Sequence, residues 1–516
     1  MAPVAPPRSG VKVRMYRQGH GDCFLLTFAG REGRRSRPVR VLIDCGLKNG
    51  SEVDAPMAET IADILEATGG HVDIAIVTHE HEDHVNGFAR VANGRRLFAD
   101  LTAGEVWLAW TEDAEDATAN ELRERFRDTL ITLALAEARM HAHPALAPQA
   151  ERLAELLETE TGAEPGALRT ALADAQAAHP QASPAAMADL AVAGITNKRA
   201  MAWLRGQAQQ GVAFLDPAKP PRPLPHVDGA QVFALGPPRD TALLLDLDPR
   251  GSEKFDLLRR GLALDGPARS LLGALAPGTG GGDPAACPFA PRHRIDQQAV
   301  FDAGPDSSDA ARHYHALYCA PDNEWRRIDG DWLEPAEGLA LRLNNEVNNT
   351  SLVLAFRLPR TGKVLLFTGD AQRGNWLGWA DLDWPTDTGR IDTRELLANC
   401  VLYKVGHHGS HNATLNGTAA DPHANLGWMA RGRAASDFVA MIPANTAWAM
   451  GKSRPWAHPM PEIEAALHHK AGGRVLRSDL TPPENPPEGA DPRHWRRFRR
   501  RLRSHRLWFE LTIEDS

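Results

Sequence analysis

The segment Thr78-His79-Glu80-His81-Glu82-Asp83-His84 directly follows the apolar run Val72-Asp73-Ile74-Ala75-Ile76-Val77. The run has the length and β-branched content of a buried strand, so the polar residues are predicted at a strand's carboxyl end. Loops at that end of α/β sheets commonly carry binding and catalytic side chains. A cluster of imidazoles and a carboxylate suits Zn²⁺, Mn²⁺ or Fe²⁺. The alternative is a solvated polar loop behind a core strand.

The spacing within this segment predicts how its side chains divide between ions. In an extended chain, residues two apart point to the same side, so His79 and His81 are expected to converge on one ion. After a turn, Asp83 and His84 are left for a second ion. The segment therefore predicts a metal centre of one or two ions.

Two later strand ends carry the same kinds of ligand. The apolar run from Val364 to Phe367 leads to Asp370, and Val401 to Val405 leads to His407 and His408. Either histidine is a candidate ligand. A centre built from His79, His81, Asp83, His84, Asp370 and one of these two histidines is the expected constellation.

At these residues the sequence resembles the metallo-β-lactamase superfamily, whose signature is H-x-H-x-D-H. The resemblance implies an α/β protein, a four-layer αβ/βα sandwich with a one- or two-metal hydrolytic centre at one edge. It also implies that Asp44, at the end of an earlier strand, supports the site from behind. In nucleases of the superfamily a ligand histidine is followed by x-Ser, so the resemblance favours His408 over His407. The ordered motifs further resemble the hydrolase domain of ComEC-type competence proteins: Gly19–Asp22, Leu42–Gly46, His79–His84, Asn348–Leu354, Leu365–Asp370 and Lys404–Ser410.

One position departs from the family pattern. Many members supply a third histidine to the first metal just before the strand that here begins at Ser351, but this chain has Glu346, Asn348 and Asn349 there. We expect Glu346 or an asparagine to provide an oxygen ligand, or one metal position to be weak. Two divalent ions are predicted, with Zn²⁺ favoured and Mn²⁺ the alternative.

The domain boundaries follow changes in composition. Residues 1–111 and 338–516 are predicted to form the two halves of the metallo-β-lactamase fold, and residues 226–238 a returning core strand. Residues 112–225 have leucines at helical spacing and are predicted to be a helical insertion. Residues 239–337 include a Gly/Pro-rich stretch and are predicted to be an irregular insertion.

Charge and hydropathy restrict location and partners. The net charge of −8 gives no overall attraction to nucleic acid, no apolar run is long enough to cross a bilayer, and the first residues lack a signal peptide's apolar core. A cytoplasmic protein without a membrane partner is expected. The segment Arg493–Arg506 is basic with interleaved aromatic residues, so it is a candidate nucleic-acid contact, or else a cover for the protein's own acidic surface. The helical insertion is a candidate docking face for a protein partner.

The favoured function is that of a metal-dependent phosphodiesterase or nuclease in which a metal-bridged hydroxide attacks a phosphodiester. Asp83 would ligate one ion and orient the water, and His458 or Lys404 would stabilise the substrate's charge or donate a proton. A hydrolase of a lactone, thioester or β-lactam has the same ligand set and is the second hypothesis. The third is a metal-binding module that recruits a partner and has little or no catalytic activity.

Overall fold

A computed structural model describes residues 3–53, 56–141, 146–164, 166–255, 297–320, 323, 326, 335–386, 389–452 and 455–516. The prediction of an irregular insertion at 239–337 was based on the Gly/Pro-rich stretch at 276–284, which lies outside these residues. The strands in chain order are β1 (Val11–Tyr16), β2 (Cys23–Glu32), β3 (Arg35–Cys45), β4 (His71–Ile76), β5 (Val91–Ala92), β6 (Arg95–Arg96), β7 (Thr102–Ala109), β8 (Val212–Leu215), β9 (Arg222–Pro223), β10 (Gln231–Gly236), β11 (Val353–Arg357), β12 (Val364–Phe367), β13 (Asp383–Thr386), β14 (Gly389–Asp392), β15 (Cys400–Lys404), β16 (Val439–Ile442), β17 (Val475–Arg477), β18 (Leu502–Ser504) and β19 (Trp508–Ile513).

The helices are distributed along the whole chain, with the longest run between β7 and β8. In chain order they are α1 (Met57–Thr68), α2 (Glu82–Val85), α3 (Ala117–His141), α4 (Ala147–Thr161), α5 (Ala167–Ala178), α6 (Pro184–Ala193), α7 (Thr196–Arg205), α8 (Thr241–Leu244), α9 (Gln297–Phe301), α10 (Asp309–Tyr318), α11 (Pro335–Asn349), α12 (Arg373–Gly378), α13 (Thr393–Ala398), α14 (Thr446–Met450), α15 (Pro461–Ala471) and α16 (Pro492–Arg501).

Two mixed sheets contain most of the strands. The first has the order β18-β19-β1-β2-β3-β4-β7-β8, and the second has the order β17-β16-β15-β12-β11-β10-β9. In each sheet the pairing is antiparallel on one side and parallel on the other: β3, β4, β7 and β8 are parallel in the first, and β12, β15, β16 and β17 in the second. The mixed α/β class predicted from the sequence is confirmed.

The two sheets face each other across one hydrophobic core. Phe24 from the first sheet packs edge-on against Phe367 from the second, with ring centres 5.5 Å apart, and Phe356 packs against Phe367 at 5.9 Å. The opposite face of the first sheet buries side chains of α1 and α7, and that of the second buries side chains of α12, α13 and α15. The alternating burial of strand side chains on both faces explains the apolar runs seen in the sequence.

The helices α3 to α7 occupy most of the range predicted as a helical insertion. Leucines of α3, α4 and α5 form a core with α6 and α11, as the helical spacing indicates. Leu190 of α6 is 46% exposed, however, and Leu204 of α7 packs against the first sheet. The strands β8 and β9 also lie within 112–225, and they pair with β7 and β10 respectively. The helical part of that range therefore ends at Arg205, before the chain returns to the sheets.

The basic segment near the carboxyl end forms α16 and β18. Arg497 and Arg501 donate to Asp437, at 2.5 and 3.0 Å, while Arg493, Arg496 and Arg500 are exposed. The nucleic-acid contact assigned to Arg493–Arg506 stays a prediction. Within the described ranges, no helix has the length and apolar character needed to cross a membrane.

Replacing Phe367 by alanine tests the contact between the sheets. Because this ring is 1% exposed and touches both sheets, its loss should lower the free energy of unfolding by about 3–5 kcal/mol. Urea unfolding at constant temperature measures the change. The control Leu480→Ala removes a side chain that is 49% exposed, and it should change stability by less than about 0.5 kcal/mol. Equal unfolding midpoints for the two variants would contradict this packing.

Candidate metal centre

The register of the parallel strands brings the polar motifs together in pairs. In the first sheet Ile43 of β3 lies opposite Ile76 of β4. Asp44, at the end of β3, is therefore beside the loop that follows β4 and carries His79. In the second sheet Phe367 lies opposite Lys404, so the turns leading to Asp370 and His408 are neighbours. Carboxyl ends of parallel strands share one sheet edge, which explains why segments far apart in sequence meet.

A backbone contact joins the two edges. The amide of Leu352, just before β11, donates to the carbonyl of Thr78 at 2.8 Å. Gly369 has φ of +51°, and a Cβ added there would lie 2.8 Å from Thr78 Cβ and 3.0 Å from Ser351 Cβ. Only glycine combines this backbone conformation with so close an approach. The approach places Asp370 directly across from the His79–His84 loop.

Four buried residues form a compact group of ligand atoms. Asp83, His84, Asp370 and His408 each offer one atom, all within 4.8 Å of one another. His408 Nε2 lies 2.9 Å from Asp83 Oδ2, and His84 Nε2 lies 3.3 Å from Asp370 Oδ2. Two imidazoles and two carboxylates match the ligand preferences of Zn²⁺ and also suit Mn²⁺. Four of the residues predicted from three separate segments therefore meet.

The atoms of this group are not saturated by the protein. Within the described part of the chain, the buried His84 Nε2 makes no hydrogen bond, and neither does Asp22 Oδ1 beside it. An unpaired buried polar atom is costly, and His84 Nε2 lies within the group of four, 3.3 Å from Asp370 Oδ2, so it fits a cation site. The residues present therefore fit a divalent metal.

Asp44 holds His84 from behind. Its Oδ2 accepts from His84 Nδ1 at 2.8 Å and from Thr78 Oγ1 at 2.7 Å, while its Oδ1 accepts from the Thr78 amide at 2.8 Å. The contact with Nδ1 leaves Nε2 of His84 directed at the group of four. This is the arrangement that the family resemblance implies for Asp44.

Two lysines compensate the buried carboxylates. Burial alone would raise the pKa of Asp83, but Lys48, 3.1 Å from Asp83 Oδ1, and the neighbouring imidazoles His408 and His84 hold that pKa well below its usual value. Lys404 contacts Asp22 and lies 3.5 Å from Asp370 Oδ1. Lys404 is 1% exposed and its ammonium holds these carboxylates, while the role toward a substrate assigned to it stays a prediction.

His79 and His81 form a second, smaller pair. His79 Nε2 and His81 Nδ1 are 3.1 Å apart, and burial, together with His84 and His81, keeps the pKa of His79 well below its usual value. A neutral imidazole is the form that binds metal. Among the described residues, no third imidazole, thiolate or carboxylate joins the pair into a compact group.

The two neighbouring histidines near the end of β15 have different surroundings. His408 Nδ1 lies 2.7 Å from the carbonyl of Pro443, and its Nε2 faces Asp83. The backbone amide of His407 donates to Asp370 Oδ1 at 3.1 Å, whereas its ring lies near Asn348, with Nε2 and Nδ2 3.4 Å apart. The structure thus brings His408, not His407, into the group of four.

Glu346 lies outside this group. Its carboxylate pairs with Arg125 from α3 and with Arg342, one turn earlier on α11, at 2.8 Å for the latter. Glu346 is buried, so these arginines compensate a charge that is removed from solvent. The role of Glu346 as a metal ligand stays a prediction without a contact to support it.

His458 lies beside the group of four and is open to solvent on one side. Its Nδ1 is 3.3 Å from His20 Nε2, and its ring centre is 5.3 Å from that of His407. Burial, then His407 and His408, holds the pKa of His458 well below its usual value, so the imidazole is neutral at pH 7. It can therefore exchange a proton but carries no charge for a substrate anion.

Sequence reasoning did not identify Lys48 or Glu160 at this site. Lys48 lies two residues after Gly46, and Glu160 lies in α4, where it accepts from His81 Nε2 at 2.9 Å. Neither residue stands in a motif, because a single lysine or glutamate on a helix resembles any solvated side chain. Only tertiary contacts distinguish them.

Comparison with known proteins gives one partial match. Residues 39–96 match the family model of the metallo-beta-lactamase superfamily, a range that runs from within β3 past the His79–His84 loop. No match was found among curated proteins. Over this segment the chain is similar to that superfamily, in agreement with the resemblance in the sequence, and the match suggests a metal-dependent hydrolase.

Asp44→Asn tests the support of His84. Asparagine tolerates the left-handed backbone of this position, where φ is +55°, but its amide cannot replace both carboxylate acceptors. Affinity for Zn²⁺, measured by competition with a chelator, should fall about 10- to 100-fold. The exposed carboxylate of Asp381 provides a control, and Asp381→Asn should bind Zn²⁺ as the original protein does. Unchanged affinity in Asp44→Asn would contradict the assigned role.

Proposed function

We propose that this protein is a metal-dependent hydrolase that cleaves phosphodiesters, as a phosphodiesterase or nuclease. The observation that carries the proposal is the buried group Asp83, His84, Asp370 and His408. Divalent ions bound there would lower the pKa of a water molecule and neutralise charge that develops on the substrate. The chain contributes the geometry, since all four side chains are held by strand ends or by buried partners.

The finer family assignment belongs to this proposal. The ordered motifs resemble the ComEC-type hydrolase domain, and the helices on the outer faces of both sheets support a four-layer αβ/βα sandwich with a helical insertion. Two ions are proposed, one at the group of four and one at His79 and His81. Zn²⁺ is favoured by the number of imidazoles.

A row of imidazoles beside the group favours a phosphodiester over an acyl substrate. The ring centre of His458 lies 5.4 Å from that of His20 and 5.3 Å from that of His407. The buried His407 Nδ1 makes no hydrogen bond within the described residues. Neutral imidazoles donate N–H groups, which suit the non-bridging oxygens of a phosphoryl group. His458 is half-buried and neutral, so it is placed to donate an N–H hydrogen bond to a phosphoryl oxygen or to accept a proton from a water molecule.

The carboxylates have separate tasks in this proposal. Asp83 would ligate one ion and orient a water through Oδ2, which faces His408, while Lys48 holds Oδ1. Asp370 is held by Lys404 and by the His407 amide, so it stays ionised and fixed between His84 and His408. The lysines thus preserve the charge of the site rather than bind substrate.

The basic strip of α16 and β18 extends the proposal to nucleic acid. Arg493, Arg496, Arg500 and Arg503 are exposed on it. Clustered exposed arginines can hold a phosphate backbone, but Trp495 and Phe498 of α16 are buried in the core and offer no stacking surface to a base. We propose single-stranded nucleic acid as one substrate to be screened, beside cyclic nucleotides and small diesters.

Asp370→Asn and His408→Ala should abolish phosphodiester cleavage. Each removes a ligand from the group of four, so the turnover number with Zn²⁺ or Mn²⁺ should fall at least about 100-fold, the scale seen when a preorganised charge is lost. Cleavage of RNA, single-stranded DNA, cyclic nucleotides and a bis-aryl phosphate is measured before and after removal of metal by a chelator.

His469→Ala is the matched control, because His469 is exposed on α15. It should cleave the same substrates at the original rate. Metal-independent cleavage, or full activity in Asp370→Asn, would contradict the proposal. Less than one bound ion per chain without any hydrolysis would instead favour the partner-recruitment module.

A cavity gives specific support to the second candidate, a hydrolase of lactones or thioesters. It has a volume of about 460 Å³ and lies between α3, α6 and α11, with Glu80 and Glu160 at the end nearest the metal site. Part of its wall is apolar, formed by Phe126, Leu130, Val192, Ile195, Leu343 and Val347. Its charged groups include the ion pairs of Lys198 with Glu80 and Arg127 with Asp189. An uncharged, partly apolar group fits this lining better than a polyanion.

Val192→Trp tests whether this cavity receives part of a substrate. The larger side chain should raise KM for a thioester with a long acyl chain by about 10-fold or more, because apolar contacts distinguish substrates on this scale. An acetyl thioester with the same leaving group should be unaffected. Val91→Trp, at a site that is 59% exposed, is the control. Equal effects on the long and short thioesters would contradict a role for the cavity in acyl binding.

A further inference from the structure

The end of helix α4 contacts the His79–His84 loop directly. Glu160 accepts from His81 Nε2 at 2.9 Å and from Asn344 Nδ2 at 3.0 Å, both through Oε1. Glu160 is 7% exposed and His81 is 2% exposed. A buried carboxylate with two donors is a fixed hydrogen-bonding partner, not a solvated side chain.

This contact determines which nitrogen of His81 is available. When Nε2 carries the proton given to Glu160, the lone pair of a neutral ring is on Nδ1. That atom lies 3.1 Å from His79 Nε2. The opposite nitrogen of His79 lies 3.2 Å from Ser351 Oγ, which can accept its proton. Two lone pairs at this separation repel each other unless a cation or a proton lies between them.

Other contacts fix α4 in the same place. Thr159 Oγ1 accepts from Lys48 Nζ at 3.0 Å, and Lys48 in turn holds Asp83. Asn197, from α7, donates to the carbonyls of Thr159 and Glu160 at 3.0 and 3.1 Å. The last turn of α4 therefore supports two different residues of the metal centre, and its own position is set by another helix of the same insertion.

We propose that Glu160 is a positioning residue that directs His81 Nδ1 toward His79, so that the two imidazoles form the weaker of two cation sites. The proposal rests on the function proposed above, in which the centre holds divalent metal. It makes helix α4 part of the metal centre. The site is the weaker one because, among the described residues, only the other group has four ligands close together.

The alternative source of support, Glu346, lacks the necessary contact. Its carboxylate forms ion pairs with Arg125 and Arg342. The carboxylate of Glu160, by contrast, contacts His81 of the motif itself. An outer carboxylate on a ligating imidazole orients the ring and raises its basicity. Glu160 thus supports the imidazole pair of His79 and His81, which in this chain lacks the third histidine that many family members supply.

The first experiment needs neither metal nor a variant. Nitrogen-15 correlation spectra of the metal-free protein report which nitrogen of His81 carries the proton. We expect the proton on Nε2, and a neutral ring protonated on Nδ1 alone would overturn the proposal. This result does not depend on hydrolysis, so it separates failure of the positioning role from failure of the proposed function.

The second experiment measures the stoichiometry and affinity of Zn²⁺ binding in three variants. Glu160→Leu removes the acceptor, and it should weaken the second binding step about 10- to 100-fold while leaving the first unchanged. Glu160→Gln keeps an acceptor oxygen and should recover part of the loss. Glu151→Leu, at an exposed position of the same helix, should bind both ions as the original protein does. Two unchanged binding steps in Glu160→Leu would overturn the proposal.

Discussion

The burial of four carboxylates in one place is the constraint on which this structure depends. Four carboxylates are each no more than 2% exposed: Asp22, Asp44, Asp83 and Asp370. Among the described residues, the buried ammonium groups close to them are those of Lys48 and Lys404. An unpaired buried carboxylate costs several kcal/mol, so the remaining negative charge requires further cations. Protonated His84 supplies one such charge in the metal-free protein, and burial, only partly offset by Lys404 and His84, raises the pKa of Asp22 to about 6. The excess of buried negative charge also favours the binding of a divalent metal at this site.

The sheet edges explain how these charges come together. Each carboxylate follows or adjoins a strand whose register is fixed by apolar side chains between the sheets, and the contact of Leu352 with Thr78 joins the two edges. A shift of one residue in β12 would turn its buried side chains to the other face and move Asp370. The hydrophobic core and the metal centre are therefore consequences of the same register.

The sequence predicts the parts of the site that follow buried strands. These residues stand directly after apolar runs, so the strand pattern and a shared sheet edge are enough to group them. They are His79, His81, Asp83, His84, Asp370 and the pair His407 and His408. Local sequence leaves His407 and His408 equivalent, and only the family pattern favours His408. The structure supports His408 through its contact with Asp83. The mixed α/β class follows from the same runs. By contrast, the pairing of β8 with β7 inside the predicted insertion depends on a long-range contact.

Residues that act through long-range contacts could not be found in this way. Glu160 and His81 are 79 positions apart, and nothing in the local sequence of α4 distinguishes Glu160 from its neighbours. Glu346 was inferred from its place in the chain, but α11 directs its carboxylate to two arginines. The helical segment is consequently more closely joined to the metal centre than its composition indicates, and it also forms the cavity beside it.

Anomalous X-ray scattering from crystals grown with Zn²⁺ tests the central claim most directly. The account predicts a strong zinc peak about 2.0–2.2 Å from the side-chain atoms of Asp83, His84, Asp370 and His408, with a weaker peak at His79 and His81. Zinc bound only elsewhere on the protein, or Asp370 and His408 too far from Asp83 and His84 to share an ion, would contradict it.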